Sequence, residues 1–312
     1  MRNEGPFSLE EVEALSAEIS PETGRPYGIQ RACRAFDLSR STFYERRDRQ
    51  AKTGTLMPQP RGAAPVVSDA DLLAAIKADL AASPFKGEGH KKVHARLRVA
   101  HGIRVAPKRV LRLMRTSNLL SPYRRPKGGP NGHDGTIGTD APNEMWGTDG
   151  TRILTVDDGY VWIFSAVEHW NTECVGWHVC KEGTRFNALQ PLAMGLTNLL
   201  GSTAAGIARG LTVRVDHGSQ YVSEHFKNQL QHWGVALSYA FVSEPETNGV
   251  AERFFRTLKE QAIYGRVFQN LEEVREAVAT FVKQYNAFWL VKKRGYLSPG
   301  QARQQWMADQ AA

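Results

Sequence analysis

Three acidic residues in the second half of the chain have the type and spacing that a divalent-cation site requires. Asp149 lies among small and apolar neighbours, where an ionised carboxylate is costly unless a cation or a donor compensates it. Asp216 ends the apolar run 211–215, and 35 residues separate it from Glu252. Each acid alone is also typical of strand ends and turns. Together they predict a site for two Mg²⁺ or Mn²⁺ ions, which prefer oxygen ligands and support in-line displacement at phosphorus.

A helix is predicted around Glu252, because apolar residues recur there at helical spacing. Its buried face would be formed by Val250, Phe254, Phe255, Leu258 and Ala262. Asn248, Glu252 and Lys259 would then share the other face, where an acid for a metal and a lysine for a phosphate could line one cleft. The alternative interpretation of this face is an ordinary i,i+4 ion pair between Glu252 and Arg256.

The elements that must position the acids begin near residue 143, where the apolar pattern changes from helical to strand-like. Strands are predicted at 144–156, 160–167, 174–180, 211–216 and 235–241, and helices at 184–200, 223–233 and from 248. This order predicts an α/β fold, a ribonuclease H-like five-stranded mixed sheet with helices on both faces. The strands of Asp149 and Asp216 would lie side by side, with the Glu252 helix packed across their ends.

The net charge of +8 lies in the first half of the chain. Residues 1–142 contain 24 Lys and Arg against 15 Asp and Glu, whereas residues 143–312 contain 16 against 17. Within 86–127 there are 13 basic residues and one acidic residue, Glu88. Solvated surfaces usually mix both signs, so this density favours binding to a polyanion such as nucleic acid.

Two helix-turn-helix units are predicted in this basic half, at 27–50 and 68–120. The second helix of the first unit and the third helix of the second unit would present basic side chains to DNA. These residues are Arg40, Arg46 and Arg47 in the first unit, and Lys108, Arg109, Arg112 and Arg115 in the second. His90 and His94 have the i,i+4 spacing of metal ligands, but without a nearby Cys pair they are interpreted as surface or phosphate-contacting residues.

Composition shifts predict the domain boundaries. The predicted segments are a helix-turn-helix domain at 1–50, a linker at 51–66, a second helix-turn-helix domain at 67–122, a basic linker at 123–142, a core at 143–300 and a C-terminal tail at 301–312. The three cysteines have no Cys-x-x-Cys spacing, so we expect buried thiols. With no secretory pattern and no apolar run of about 18 residues, we expect a cytoplasmic protein that associates with the nucleoid and not with a membrane.

The spaced motifs closely resemble the catalytic core of bacterial insertion-sequence transposases in the retroviral integrase superfamily. The matching family is the large-reading-frame transposase of insertion sequence family three. The resemblance rests on the strand Trp146-x-x-Asp149, on Asp216-x-Gly218-x-x-Tyr221, on Asn248-x-x-x-Glu252 followed by Lys259, and on Gly295-Tyr296-Leu297-Ser298-Pro299. Where that family has Arg-Pro-His after Asn286, this chain has Ala287-Phe288-Trp289-Leu290.

The resemblance implies that Asp149, Asp216 and Glu252 form a metal-binding catalytic triad, while Asn248 and Lys259 hold the active site and terminal DNA. Arg256, on the same predicted helix, is a further candidate for contact with DNA. It also implies cleavage at inverted repeats, transfer of the 3′ hydroxyl to target DNA and assembly of a homo-oligomer on DNA. A small partner encoded in an upstream frame is a further expectation. Two other hypotheses stay open: a non-catalytic DNA-binding regulator and a ribonuclease H-like repair nuclease.

Overall fold

The computed structural model describes residues 8–53, 66–121, 138–240 and 249–311. The chain divides into two compact units, Met1–Val66 and Val67–Ala312. No helix among the described residues is long and apolar enough to span a membrane.

The first unit contains a helix-turn-helix in the predicted place. Its helices are α1 (Leu9–Ala17), α2 (Gly28–Ala35) and α3 (Arg40–Thr53). Ser8 and Glu11 cap α1 reciprocally, which fixes the start of that helix. The small core of the unit is formed by Leu9, Val12, Ala32, Cys33 and Phe43. Helix α3 continues to Thr53, three residues beyond the predicted end of the first domain at residue 50.

The second unit begins with three helices, which we call the second helical module (residues 67–121). They are α4 (Asp69–Ala82), α5 (His90–Val99) and α6 (Pro107–Thr116). Ser68 caps α4, and Pro107 occupies the first turn of α6, where its missing N–H costs no hydrogen bond. The apolar stripes of the three helices meet in one cluster that includes the fully buried Leu72, Ile76 and Leu97.

The rest of the unit is built on one sheet with the predicted number of strands. The strands are β1 (Met145–Leu154), β2 (Tyr160–Glu168), β3 (Cys174–Cys180), β4 (Thr212–Val215) and β5 (Ala236–Tyr239). Their order is β3-β2-β1-β4-β5; β1, β2 and β3 are antiparallel, whereas β4 runs parallel to both β1 and β5. The prediction of a ribonuclease H-like mixed sheet is thereby confirmed.

Helices cover both faces of this sheet. They are α7 (Arg185–Leu200), α8 (Ser219–Val222), α9 (Glu224–Trp233), α10 (Gly249–Leu258), α11 (Leu271–Phe288) and α12 (Pro299–Ala311). Side chains of β2 alternate between the two faces, so Phe164 packs with α7 and α9 while Ile163 packs with α10 and α11. Pro191 lies inside α7 and is buried there.

The prediction of an independent C-terminal tail at 301–312 is wrong, because residues 301–311 belong to helix α12, which packs on the sheet core. Ala302 is buried, and Arg303 forms ion pairs with Glu168 and Glu173 beside the β2–β3 turn. Glu168 is fully buried and accepts hydrogen bonds from Asn143 N–H and from the Trp146 indole. Residues 299–311 therefore belong to the packed core.

Candidate active site and nucleic-acid interface

Asp149 and Asp216 lie beside each other because β1 and β4 are adjacent parallel strands. The register pairs Trp146 with Val213 and Gly147 with Arg214. Two residues further along each strand, this register brings Asp216 next to Asp149. Asp149 pairs across the other edge of β1 with Ser165, so its side chain is on the sheet face that carries α10. Strand pairing alone thus brings together two acids 67 positions apart in the chain.

The carboxyl of Asp149 is half-buried and surrounded by negative charge. Burial raises its pKa from 3.8 to about 6, and the charges of Asp216 and Glu252 act in the same direction. The Gly150 N–H, which donates to Asp149 Oδ1 at 2.7 Å, and the charge of Lys259 act in the opposite direction. Asp216, Glu252 and Lys259, which the sequence prediction named, therefore each interact electrostatically with Asp149.

A buried phenol lies against the two aspartates. Tyr221 has no solvent exposure, and burial followed by the charges of Asp149 and Asp216 raises its pKa well above 10. Gly218, which donates to Asp216 Oδ1 at 2.9 Å, approaches so closely that an added Cβ would lie 3.0 Å from that oxygen. The motif Asp216-x-Gly218-x-x-Tyr221 includes this tyrosine, but the sequence assigned it no role. Its place one helical turn after Gly218 is the signal that could have predicted its position beside the aspartates.

Glu252 lies in the first turn of α10, and its side chain is exposed. It forms no ion pair with Arg256, although the structure describes both residues, so the alternative interpretation of this helix face is wrong. The regular helix ends at Leu258, and Lys259–Ile263 form one π-helical turn closed by Tyr264 N–H donating to Lys259 O at 2.8 Å. Asn248 lies outside the described residues.

The donor set fits a hard cation by its chemistry, because three carboxylates offer only oxygen ligands and repel one another without a counter-charge. Among the described residues, however, no three His, Cys, Asp or Glu side chains are gathered closely enough to form a cation site. Asp149 and Asp216 are each half-buried, whereas Glu252 extends into solvent. In this state the structure contains an acidic pair with a third carboxylate nearby.

Helix α3 presents part of its predicted basic surface. Arg40 and Arg47 are exposed, and Arg46 is half-buried. The guanidinium of Arg47 lies over the ring of Tyr44, 4.8 Å from its centroid, and this contact orients the side chain along the helix.

On helix α6, the predicted basic residues divide into two pairs. Lys108 and Arg115 are exposed as predicted. Arg109 and Arg112 both bind the Asp69 carboxylate, and their hydrogen bonds, first from Arg112 and then from Arg109, lower its pKa. Arg109 also donates to Val67 O, and its side chain is only 19% exposed. The prediction that Arg109 faces solvent is wrong, because its ion pair with Asp69 at the start of α4 holds the side chain against the module.

The two histidines of the second helical module do not form a metal site with each other. His94 bonds to the carbonyl of Val105 at 2.9 Å. His90 is half-buried, and burial lowers its pKa from 6.5. The interpretation of His94 as a surface residue is replaced by a packing role within the module.

Family comparisons match both halves of the chain. Two sequence models of the integrase core domain match residues 139–245 and 233–299, and a model of an HTH-like domain matches residues 69–127. The integrase matches cover β1 to β5 and continue through α10 and α11. The HTH-like match covers the second helical module.

The curated relatives are transposases. Transposase InsF for insertion sequence IS3A from Escherichia coli (strain K12) is 28% identical over 161 residues, which cover 51% of this chain and 54% of the relative. The transposase for insertion sequence element IS629 from Shigella sonnei is 26% identical over 168 residues, covering 54% of each chain. The chain thus spans about half the length of the curated relatives it matches.

Solved structures of retroviral proteins match part of this chain with TM-scores below 0.5. The simian T-cell lymphotropic virus intasome in complex with PP2A regulatory subunit B56 gamma has a TM-score of 0.42 at 15% identity, covering 63% of this chain and 69% of that chain. The HTLV-2 integrase catalytic core domain in complex with magnesium has a TM-score of 0.39 at 14% identity, covering 52% and 97%.

Proposed function

We propose that this chain, whose residues 139–299 match models of the integrase core domain, is a DNA transposase that cleaves phosphodiester bonds at the ends of an insertion sequence and transfers the 3′ hydroxyl to target DNA. The observation that carries the proposal is the convergence of acids on Asp149, whose pKa rises to about 6 partly through the charges of Asp216 and Glu252. Burial of a carboxylate beside two other acids is costly unless a cation compensates their charge.

We assign Asp149, Asp216 and Glu252 as the ligands of two Mg²⁺ or Mn²⁺ ions. Support comes from the all-oxygen donor set and from the mutual repulsion that such ions would relieve. Two ions in such a site supply activation of the attacking hydroxyl and stabilisation of the departing oxygen. The chain itself contributes the rigid strand pair that fixes the two aspartates, and the charge of Lys259 for a phosphate of the terminal nucleotide.

We assign end recognition to the two helix-turn-helix units. Arg40 and Arg47 on α3, with Lys108 and Arg115 on α6, are exposed and free to approach phosphates or base edges. Arg109 is assigned a different role, since its contacts with Asp69 and Val67 orient α6. Assembly as a homo-oligomer on paired ends, with or without a small partner protein from an upstream frame, is part of the same proposal.

The test uses purified protein, Mg²⁺ or Mn²⁺, and a duplex that carries the inverted repeat flanking the gene. Wild type is expected to nick this duplex and to join the freed 3′ end to a second DNA. Asp149→Asn should abolish both reactions while the dissociation constant for the duplex stays within about twofold, because the transition-state interaction alone is removed. The control is Asp158→Asn, in the β1–β2 hairpin, which should retain nicking.

Three results would contradict the proposal. Nicking by Asp149→Asn at the wild-type rate would exclude the assigned chemistry. Tight binding without nicking by wild type would favour the DNA-binding regulator. Equal cleavage of repeat and random duplexes would favour the repair nuclease.

A further inference from the structure

The second helical module contacts the sheet core through residues 83–89 between α4 and α5, which we call the docking loop, and through Lys92 of α5, whose ammonium lies over the Trp289 ring. Phe85 in this loop is only 3% exposed and belongs to the apolar cluster of α10 and α11. Its ring meets Trp289 edge to face, with centroids 4.9 Å apart.

A second contact connects the docking loop to the helix that bears Glu252. The side-chain amide of Gln261 donates to Lys86 O and accepts from Lys86 N–H, both at 2.8 Å. One glutamine thereby satisfies both backbone groups of a loop residue, as a neighbouring strand would. Gln261 lies in the π-helical turn, two residues after Lys259. Single π-helical turns occur often at functional sites, because the extra residue redirects the side chains that follow.

The docking loop cannot shift independently of the module. Glu88 in the loop is buried, accepts from the Ser83 hydroxyl at 2.7 Å and pairs with Arg96 of α5 at 2.6 Å. Arg96 in turn binds both carboxylate oxygens of Asp79 in α4. A displacement of α4 or α5 is therefore passed to Lys86 and then to Gln261.

We propose that Gln261 is a positioning residue that couples the second helical module to the active-site helix, by clamping the docking loop to the π-helical turn that carries Lys259. This inference rests on the proposed function, in which α6 of the module binds DNA and Lys259 holds a terminal phosphate. Movement of the module on DNA then sets the place of Lys259 and Glu252 relative to the aspartate pair.

The experiment compares full-length wild type with Gln261→Ala and with the matched control Gln284→Ala. Gln284 lines the same cavity between the docking loop and α11, but it makes no hydrogen bond to Lys86, and the structure describes both residues. Hydrogen exchange of the Lys86 and Tyr264 amides is measured first, without DNA or metal. Gln261→Ala should speed exchange at both amides by about tenfold, and Gln284→Ala at neither.

Kinetics on the inverted-repeat duplex supply the second readout. Gln261→Ala should lower the rate of nicking at saturating DNA by about tenfold or more, because a small displacement of a catalytic group raises the activation barrier. The dissociation constant for the duplex should stay within about twofold of wild type, since α6 is untouched. A merely structural role would instead weaken binding and nicking together.

The outcomes separate this inference from the proposed function. Unchanged exchange at Tyr264 in Gln261→Ala overturns the coupling, whatever the DNA reactions show. Equal losses of binding and nicking also overturn it. If wild type fails to nick, the proposed function fails, whereas faster exchange at both amides in Gln261→Ala alone still supports the clamp.

Discussion

Replacing Asp149 with asparagine should make the cation-free protein more stable. A carboxyl whose pKa rises from 3.8 to about 6 is destabilised in its ionised form by about 3 kcal/mol, because one pH unit corresponds to about 1.4 kcal/mol. Asparagine removes the charge and keeps an oxygen that accepts from Gly150 N–H. The free energy of unfolding of Asp149→Asn should therefore exceed that of wild type by up to about 3 kcal/mol.

The pH dependence of this excess follows from the direction of the pKa shift. Below about pH 4, Asp149 is protonated in the folded and unfolded states, so the two proteins should be equally stable. Between about pH 4 and pH 6 the folded state retains a proton that the unfolded state has lost, and wild-type stability falls as pH rises. Above about pH 6 the full penalty is present.

Thermal unfolding in EDTA from pH 4 to pH 8 measures the effect. An excess of about 3 kcal/mol corresponds to a Tm increase of roughly 6–12 °C for a unit of this size. The matched control is Asp158→Asn: the hydrogen bond from Lys181, and then that from Leu271 N–H, lower the pKa of Asp158, so this variant should lose stability at neutral pH. Equal or lower stability of Asp149→Asn at pH 7, or an excess that does not change with pH, would refute the reasoning.

Three further predictions concern the framework around the site. Gly176→Ala should lower the free energy of unfolding by about 3 kcal/mol or more, because its Cβ would lie 1.9 Å from a backbone oxygen of α7. Gly138→Ala is the control: an added Cβ there meets no atom within 4 Å, so urea denaturation should show no change in stability. Burial, then nearby positive charges, lower the pKa of His169 to about 4, so wild type should lose about 2 kcal/mol more than His169→Gln between pH 7 and pH 5. Arg303→Met should lower the free energy of unfolding by roughly 3 kcal/mol, because it removes a counter-charge from buried Glu168. An unchanged midpoint of urea denaturation would show that this contact of α12 does not stabilise the core.

The sequence predicted those elements whose signals are local. Ser8, Ser68 and Thr184 are caps whose side chains accept from the first turn, and each helix begins where the pattern placed it. Short apolar runs likewise located the five strands, because helices cover the sheet on both faces. The resemblance to an integrase core followed from the motif spacing, and two models of the integrase core domain match residues 139–245 and 233–299.

The features that the sequence did not reveal depend on distant partners. In the sequence, Arg303 has the surroundings of a tail residue. In the structure it forms an ion pair with Glu168, which lies 135 positions earlier in the chain. Arg109 has the pattern of a DNA-contacting residue, but Asp69 is 40 positions away in sequence and adjacent in space. The π-helical turn after Leu258 was also not predicted, and its residue Gln261 bonds to Lys86, 175 positions earlier in the chain. Three-dimensional packing decides each of these cases.

The central strand β1 acquires its parallel neighbour β4 only after 57 intervening residues have been arranged, since β1 ends at Leu154 and β4 begins at Thr212. Pairings of such high sequence separation form late, because chain entropy must be lost before their contacts are gained. A nascent or partly folded chain would thus hold its acids apart. Under the proposed function, cleavage of DNA would therefore begin only once the sheet is complete.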